Sequence, residues 1–221
     1  MVETARDIQS ASLCDQFDAL MTREGTLAHP YVESGNLVKG REATRNLADA
    51  VHFLSLLHGA SPGLVGLASL TTADGSVRQW FDIAVEGFAR ERAYLSHLGV
   101  AAGPMPSTVG QQSCEQTVAA QSHAMATLAR SERSGTALGA AIALTIDWRS
   151  IRAVLDSAAA RLDVEPPALL LPDLPSTRRI IDLQDHAGGG RAVLFGARQL
   201  LMQHRGLWDL LASRELARST G

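Results

Sequence analysis

Cysteine and lysine are both scarce in this chain of 221 residues. The two cysteines, Cys14 and Cys114, lie far apart and form no Cys-x-x-Cys pair, and Lys39 is the one lysine. So little cysteine argues against a disulfide framework and a thiolate metal site, and we expect a protein of the reducing cytoplasm. The preference for arginine over lysine indicates a GC-rich bacterial genome.

The chain also lacks an excess of one charge and a long apolar run. Its net charge is -3 and its isoelectric point is about 6.1, so no basic field draws it to nucleic acid or anionic lipid. The longest apolar stretch, 137–146, is about half of the roughly 20 residues that a membrane span needs. No apolar run follows the charged N-terminal residues. We therefore expect neither nucleic acid nor membrane as a partner, and no anchor or export signal.

Strand signals are missing as well. Aromatic residues make up 5% of the chain, β-branched runs are rare, and alanine and leucine dominate, which favours helix. Clusters of glycine and proline divide the chain into segments with helical spacing of apolar residues. We predict one all-α domain over residues 1–221, folded as an antiparallel bundle of five to seven helices. The predicted helices cover roughly 4–22, 42–58, 76–98, 107–131, 135–162, 177–185 and 191–214.

Four polar residues lie on or at the end of apolar helix stripes, each in a different segment. They are His58, Glu91, Glu132 and His204. A buried carboxylate without a partner costs several kcal/mol, so histidine or arginine is expected beside each glutamate. Such an inward set can bind a divalent metal, or can hold a proton donor and acceptor against a ligand in a bundle core. The four residues can equally have structural roles only. Glu91 would then pair with a neighbouring arginine near the surface, Glu132 would cap a helix end, and the two histidines would be hydrogen-bonded core residues.

Glu91 is expected to lie apart from the other three. His58 ends its helix, and Glu91 follows about fifteen residues into the next, so an up-down connection separates them by roughly 20 Å. The compatible set is then His58 and Glu132, with His204 at an undetermined level. Three other residues of ligand type are expected to face solvent, because they lie opposite the apolar side of their helices. They are Asp49 and His52, which form an Asp-x-x-His, and His123.

Two functions are consistent with this set. Metalloprotease, dinucleotide-binding and kinase signatures are absent, so we expect a non-catalytic ligand-binding or regulatory protein that takes an unidentified small molecule. The alternative is a metal-dependent enzyme of the bundle type that uses the inward His/Glu set. The sequence indicates no particular metal or cofactor.

Two short segments resemble a known family. Residues 86–95, Glu-Gly-Phe-Ala-Arg-Glu-Arg-Ala-Tyr-Leu, are similar to a ligand-bearing helix of the ferritin-like diiron oxidases, and residues 129–133 are similar to a later one. The layout of the chain also resembles the heme-oxygenase-like bundles. Those oxidases carry two Glu-x-x-His pairs and this chain has none. The resemblance therefore implies a relative that has lost the diiron centre, and it gives no ground for assigning oxidase activity to this chain.

Small residues between Gly135 and Ala143 predict a close helix contact. They can pack a neighbouring helix of the same chain, or the same helix of a second copy in a homo-oligomer. The sequence does not separate these two uses.

Overall fold

The computed structural model describes residues 11–71, 75–133 and 135–219. Within these ranges the chain is entirely helical, as the sequence predicts, and contains no strand. A 3₁₀ turn, Thr26–Ala28, follows the first helix. The α-helices are α1 (Leu13–Glu24), α2 (Pro30–Glu33), α3 (Ala43–His58), α4 (Leu64–Ser69), α5 (Gly75–Ala102), α6 (Gln111–Ala129), α7 (Thr136–Leu162), α8 (Leu174–His186) and α9 (Gly190–Ser219).

Two short helices were not predicted. The helices α2 and α4 have 4 and 6 residues and lie in the glycine-containing segments that the sequence marks as breaks. Helices this short contain too few turns to show an apolar period. The other seven described helices correspond to the predicted segments, although the predicted start of the first, residues 4–10, lies outside the described residues.

The long helices α7 and α9 run in the same direction. Thr136 lies against Gly196 near the start of both helices, and Asp147 lies against His204 about two to three turns further along each. The antiparallel order predicted for the bundle is therefore wrong for this pair. The segment 163–189, which contains α8, returns the chain to the end at which α7 begins, so that α9 repeats its direction.

Helix α3 runs antiparallel to α9, as predicted. His58, at the end of α3, meets His204, while Asp49, earlier in α3, meets Arg214 near the end of α9. The interface between α3 and α9 therefore carries polar side chains at two separate levels. These two levels have different surroundings.

Two glycines bring the backbones of α7 and α9 into contact. A Cβ on Gly139 would lie 2.0 Å from the carbonyl oxygen of Val193, and one on Gly196 would lie 1.9 Å from that of Thr136. No side chain fits at such distances, since carbon and oxygen pack at well over 3 Å. The small-residue stripe of α7 thus packs a helix of its own chain, and self-association stays a prediction.

The short helix α4 covers the core beside the end of α3. Its buried side chains pack against α5, α6 and α7, so the chain between α3 and α5 folds back over the bundle instead of making a plain turn. Large side chains from several helices, Phe17, Phe53, Phe81, Trp148 and Trp208 among them, fill the interior. None of the described helices is long and apolar enough to cross a membrane.

Candidate functional site

His58 and His204 meet inside the protein. Their Nε2 atoms lie 3.2 Å apart, within hydrogen-bond distance, and their rings are nearly perpendicular. His204 is buried in the middle of α9, whereas His58 is the half-buried last residue of α3. The placement of these two predicted site residues on core faces is correct.

A buried aspartate extends this pair on the other side. Asp147 of α7 accepts a hydrogen bond from Nδ1 of His204 at 2.6 Å, and two more from the Thr26 amide and hydroxyl at 2.8 and 2.7 Å. Burial by itself raises the pKa of Asp147, but the hydrogen bonds and charge of His204, together with the Thr26 hydrogen bonds, hold it below its usual value. Asp147 is therefore ionised at neutral pH.

Sequence reasoning missed Asp147. It stands directly beside Trp148, off the apolar stripe from which the buried side of the helix was predicted, and the helix is buried on nearly all sides over 136–148. The available signal was that Asp147 is the first charged residue after a long run of small and apolar residues. An acid in such a run is expected to have a buried partner.

Glu91 is buried, as predicted, and its partners are on α7. Its carboxylate accepts hydrogen bonds from Nε1 of Trp148 and from a guanidinium nitrogen of Arg152, both at 2.8 Å. Burial raises the pKa of Glu91, although the bond from Trp148 and the charge of Arg152 oppose that shift. Arg152 also binds Asp156, so each charge in this group has an opposite charge beside it.

The predicted distance between His58 and Glu91 is wrong. Both residues border one cavity, and Trp148 contacts both: its ring packs edge-on against His58 at 5.1 Å, and its indole nitrogen binds Glu91. The estimate assumed that the chain turns directly from α3 into the next long helix. Instead, 59–74 contains α4, which folds back and lets α5 begin far from the end of α3.

Glu132 does not belong to the site. It lies in the connection between α6 and α7, and its side chain is exposed. The helical periodicity used to place it inward does not apply, because α6 ends at Ala129. The prediction that Glu132 joins the histidines is therefore wrong.

The cavity beside His58 has a volume of about 50 Å³ and lies under α4. His58 lines this cavity, and its Nε2 is hydrogen-bonded to His204. Nδ1 is therefore the ring nitrogen of His58 that has no hydrogen-bond partner among the described residues. Most of the wall is apolar. The apolar side chains include Leu57, Leu64, Val65, Phe88, Met125 and Leu144.

Arg92 borders the same cavity and was not predicted as a site residue. It is half-buried, and no described residue forms an ion pair or side-chain hydrogen bond with it. Burial lowers its pKa, with no acidic neighbour opposing the shift. By contrast, the two most buried arginines, Arg152 and Arg214, each pair with a carboxylate. Arg92 is thus a partly desolvated cation without a counter-ion among the described residues.

A second polar cluster lies at the other level of the α3–α9 interface. Asp49 is buried and accepts hydrogen bonds from Arg214 at 2.9 and 3.0 Å and from Arg218. Its prediction as solvated is wrong, because the end of α9 covers that side of α3. His52 is half-buried rather than exposed, while His123 is exposed, as predicted.

The loop after α3 carries a hydrolase-like pattern. Residues 59–63 read Gly-Ala-Ser-Pro-Gly, which matches the Gly-x-Ser-x-Gly of a nucleophile elbow. In that motif the serine occupies a strand-to-helix turn, whereas this loop joins two helices. Ser61 is exposed and is not part of the cavity wall, so the pattern does not indicate a nucleophile.

Residues 21–219 match the family of unknown function DUF6975. The chain belongs to that family. The match spans α2 to α9 and so includes both histidines, Asp147, Glu91 and Arg92. No curated protein and no solved structure matches this DUF6975 chain. The resemblance to ferritin-like and heme-oxygenase-like bundles therefore stays a prediction.

The metal-binding capacity of this DUF6975 chain is limited within its described residues. No three histidine, cysteine, aspartate or glutamate side chains there are grouped so as to hold a metal ion. What the site does offer is a cavity lined by Arg92 and His58, with a cation and a histidine nitrogen that have no partner among the described residues. This arrangement suits a small ligand that carries negative charge.

Proposed function

We propose that this protein binds a small carboxylate anion in the cavity beside His58, and that binding rather than catalysis is its function. The observation that carries the proposal is Arg92, a half-buried cation at the cavity without a counter-ion among the described residues. Desolvating an unpaired charge costs free energy, which an anion in the cavity would offset. Guanidinium and carboxylate also match in shape, since they can form two parallel hydrogen bonds.

The size of the cavity narrows the class of ligand. A volume of about 50 Å³ exceeds the roughly 10–15 Å³ that one water needs, and is far below the roughly 300–1,000 Å³ of pockets for drug-sized molecules. A molecule of a few heavy atoms fits. Because the remaining wall is mostly apolar, we propose a short aliphatic acid whose carboxylate faces Arg92 and whose alkyl part contacts Leu64 and Phe88.

The nearby carboxylate of Glu91 does not oppose this ligand strongly. Its charge is matched by Arg152 at 2.8 Å, and Trp148 occupies its other oxygen. His58 supplies a second polar contact through Nδ1. The ligand would therefore meet one unmatched positive charge, one imidazole nitrogen and an apolar wall.

Calorimetric titration of formate, acetate, propionate, butyrate and hexanoate tests the proposal. We expect one binding site, with affinity highest for two to four carbons, because hexanoate exceeds the cavity. Arg92→Gln should weaken binding at least tenfold, which is about 1.4 kcal/mol. The matched control is Arg90→Gln, two positions earlier on α5, where the arginine is exposed and pairs with Glu86. Absence of binding to the unmodified protein, or equal loss in both variants, would contradict the proposal.

We also propose a reducing cytoplasmic location. Cys14 is buried and Cys114 is half-buried, and both are free thiols. Burial and a hydrogen bond to Asp182 raise the pKa of Cys14 to about 12, so this thiol is unreactive at neutral pH. Fractionation of the native host with an antibody against the protein tests the location.

A further inference from the structure

Asp147, His204 and His58 form a continuous line of hydrogen bonds that ends at the cavity. We call these three residues the acid–histidine row. Its distances are 2.6 Å from Asp147 to His204 and 3.2 Å from His204 to His58, and His58 lines the cavity. Each residue comes from a different helix, α7, α9 and α3, so the row joins the core to the ligand site.

The protonation states of the row are coupled to one another. Asp147 accepts three hydrogen bonds, so the Nδ1 of His204 that faces it carries a proton. One proton then lies between the two Nε2 atoms. If His204 is neutral, that proton belongs to His58, and Nδ1 of His58 presents a lone pair to the cavity. If His204 is an imidazolium, it donates to His58, and Nδ1 of His58 presents an N–H.

A carboxylate in the cavity requires the second state. It can only accept hydrogen bonds, so it repels the lone pair of the first state and binds the N–H of the second. The second state contains one proton more than the first. The added proton is on His204, whose direct neighbour is the carboxylate of Asp147. The ring of His58 stays neutral, but its one N–H is on Nδ1 instead of Nε2.

We propose that the acid–histidine row takes up one proton when a carboxylate binds beside His58 and Arg92, so that the protein binds the anion and the proton together. This inference rests on the proposed function and adds its pH dependence. The proton travels inward: Nδ1 of His58 gains a proton from solvent, and Nε2 of His58 passes its own proton to Nε2 of His204. The carboxylate itself is not protonated.

The charged surroundings of the row are consistent with this assignment. Beside His204, Asp147 from α7 lies at hydrogen-bond distance. On the cavity side, α5 contributes Glu91, whose charge is matched by Arg152 of α7, and Arg92, which has no counter-ion among the described residues. The cavity walls from α4 and α6 contain no titratable side chain. Burial, and then the charge of His204, lower the pKa of His58, so the ring of His58 stays neutral.

The experiment is calorimetry of acetate binding to the unmodified protein at pH 7.5 in two buffers with different heats of ionisation. The difference in measured heat gives the number of protons taken up, and we expect about one. Acetate, like other carboxylates, is fully ionised there, so the proton cannot come from the ligand. The affinity should rise up to about tenfold for each pH unit of decrease between pH 8 and 7.

Asp147→Asn identifies where the proton goes. Asparagine keeps an oxygen that accepts from His204 but removes the charge that stabilises an imidazolium, so proton uptake should fall toward zero while Arg92 still binds the anion. Asp209→Asn, an exposed position on α9, is the matched control and should keep an uptake of about one.

The outcomes distinguish the two proposals. Binding without proton uptake in the unmodified protein overturns this inference and leaves the proposed function intact. Uptake that persists in Asp147→Asn also overturns it, since the proton would then belong to another group. If no carboxylate binds at all, both proposals fail. The measurement on the unmodified protein decides even if Asp147→Asn does not fold.

Discussion

The interface between α3 and α9 contains two polar clusters that look alike in composition and differ in surroundings. At one level Asp49 pairs with Arg214 and Arg218, and Arg214 also bonds the carbonyl of Pro106 in the loop before α6. At the other level His58 meets His204 next to a cavity. Both clusters are inside the protein and both join the same two helices.

The difference lies in whether each charged side chain has an opposite charge beside it. In the other cluster Asp49 pairs with both arginines, which also tie a loop to the two helices, although Nη1 of Arg214 and Nε of Arg218 are buried without a hydrogen-bond partner among the described residues. Beside His58, by contrast, Arg92 has no counter-ion among the described residues, and both side chains border a cavity. Burial of polar groups alone therefore does not indicate a site, whereas a charge without a counter-ion beside a cavity does.

The largest expected effect is on the Asp49 cluster. Asp49→Asn leaves the buried charge of Arg214 without its counter-ion, and breaking a buried ion pair from one side costs about 3–5 kcal/mol. Urea unfolding followed by circular dichroism measures the loss. Glu86→Gln, which removes an exposed partner of Arg90, should cost less than about 0.5 kcal/mol. Similar losses in both variants would contradict the structural role of Asp49.

Asp147→Asn should have an intermediate effect on stability. The variant keeps one oxygen acceptor, but the Thr26 amide and His204 bind different oxygens of Asp147, so one of these bonds is lost together with the charge. We expect a loss of about 2 kcal/mol in the free energy of unfolding at pH 7. The same unfolding experiment applies. A loss as large as that of Asp49→Asn would mean that the acid–histidine row is structural like the Asp49 cluster, and the comparison between them would fail.

A smaller effect concerns pH. The pKa of His58 is lowered in the folded protein, so below its unfolded value of about 6.5 the unfolded chain binds more protons at this position. Stability is therefore lost as the pH falls. Between pH 6.5 and 5.5 the unmodified protein should lose about 1 kcal/mol more than His58→Gln, measured by urea unfolding at both pH values. Equal losses would show that His58 is not held neutral.

The smallest expected effect is the change of stability in Arg92→Gln. Within the part of the chain that the structure describes, no side chain pairs with Arg92, so its replacement should shift the free energy of unfolding by less than about 0.5 kcal/mol. A small loss of stability on replacement is what distinguishes a ligand-binding arginine from a structural one such as Arg214. A loss above about 1.5 kcal/mol in the absence of ligand would indicate a structural contact for Arg92 and would remove the basis for the proposed anion site.

Local sequence pattern was sufficient to predict the longer helices and part of the site, but not α2 and α4. Apolar spacing in 42–58 and 191–214 correctly places His58 and His204 on core faces, because each face is defined within a single helix. The same reasoning failed for Asp49, since it allows a helix one buried side, whereas α3 packs against α5, α6, α7 and α9. It failed for Glu132 because the helix ends before that residue.

The amino-acid sequence by itself determined that this protein is all-helical, where its long helices lie, and which two histidines face the interior. The tertiary structure decided that these histidines touch, that Asp147 lies behind them, and that Glu91 and Arg92 border the same cavity. The physical reason is that helix periodicity is set by neighbours three and four residues apart. Which helices become neighbours depends instead on where α4 and the 163–189 segment place the helices that follow them. The spacing of residues within one helix contains no information about that placement.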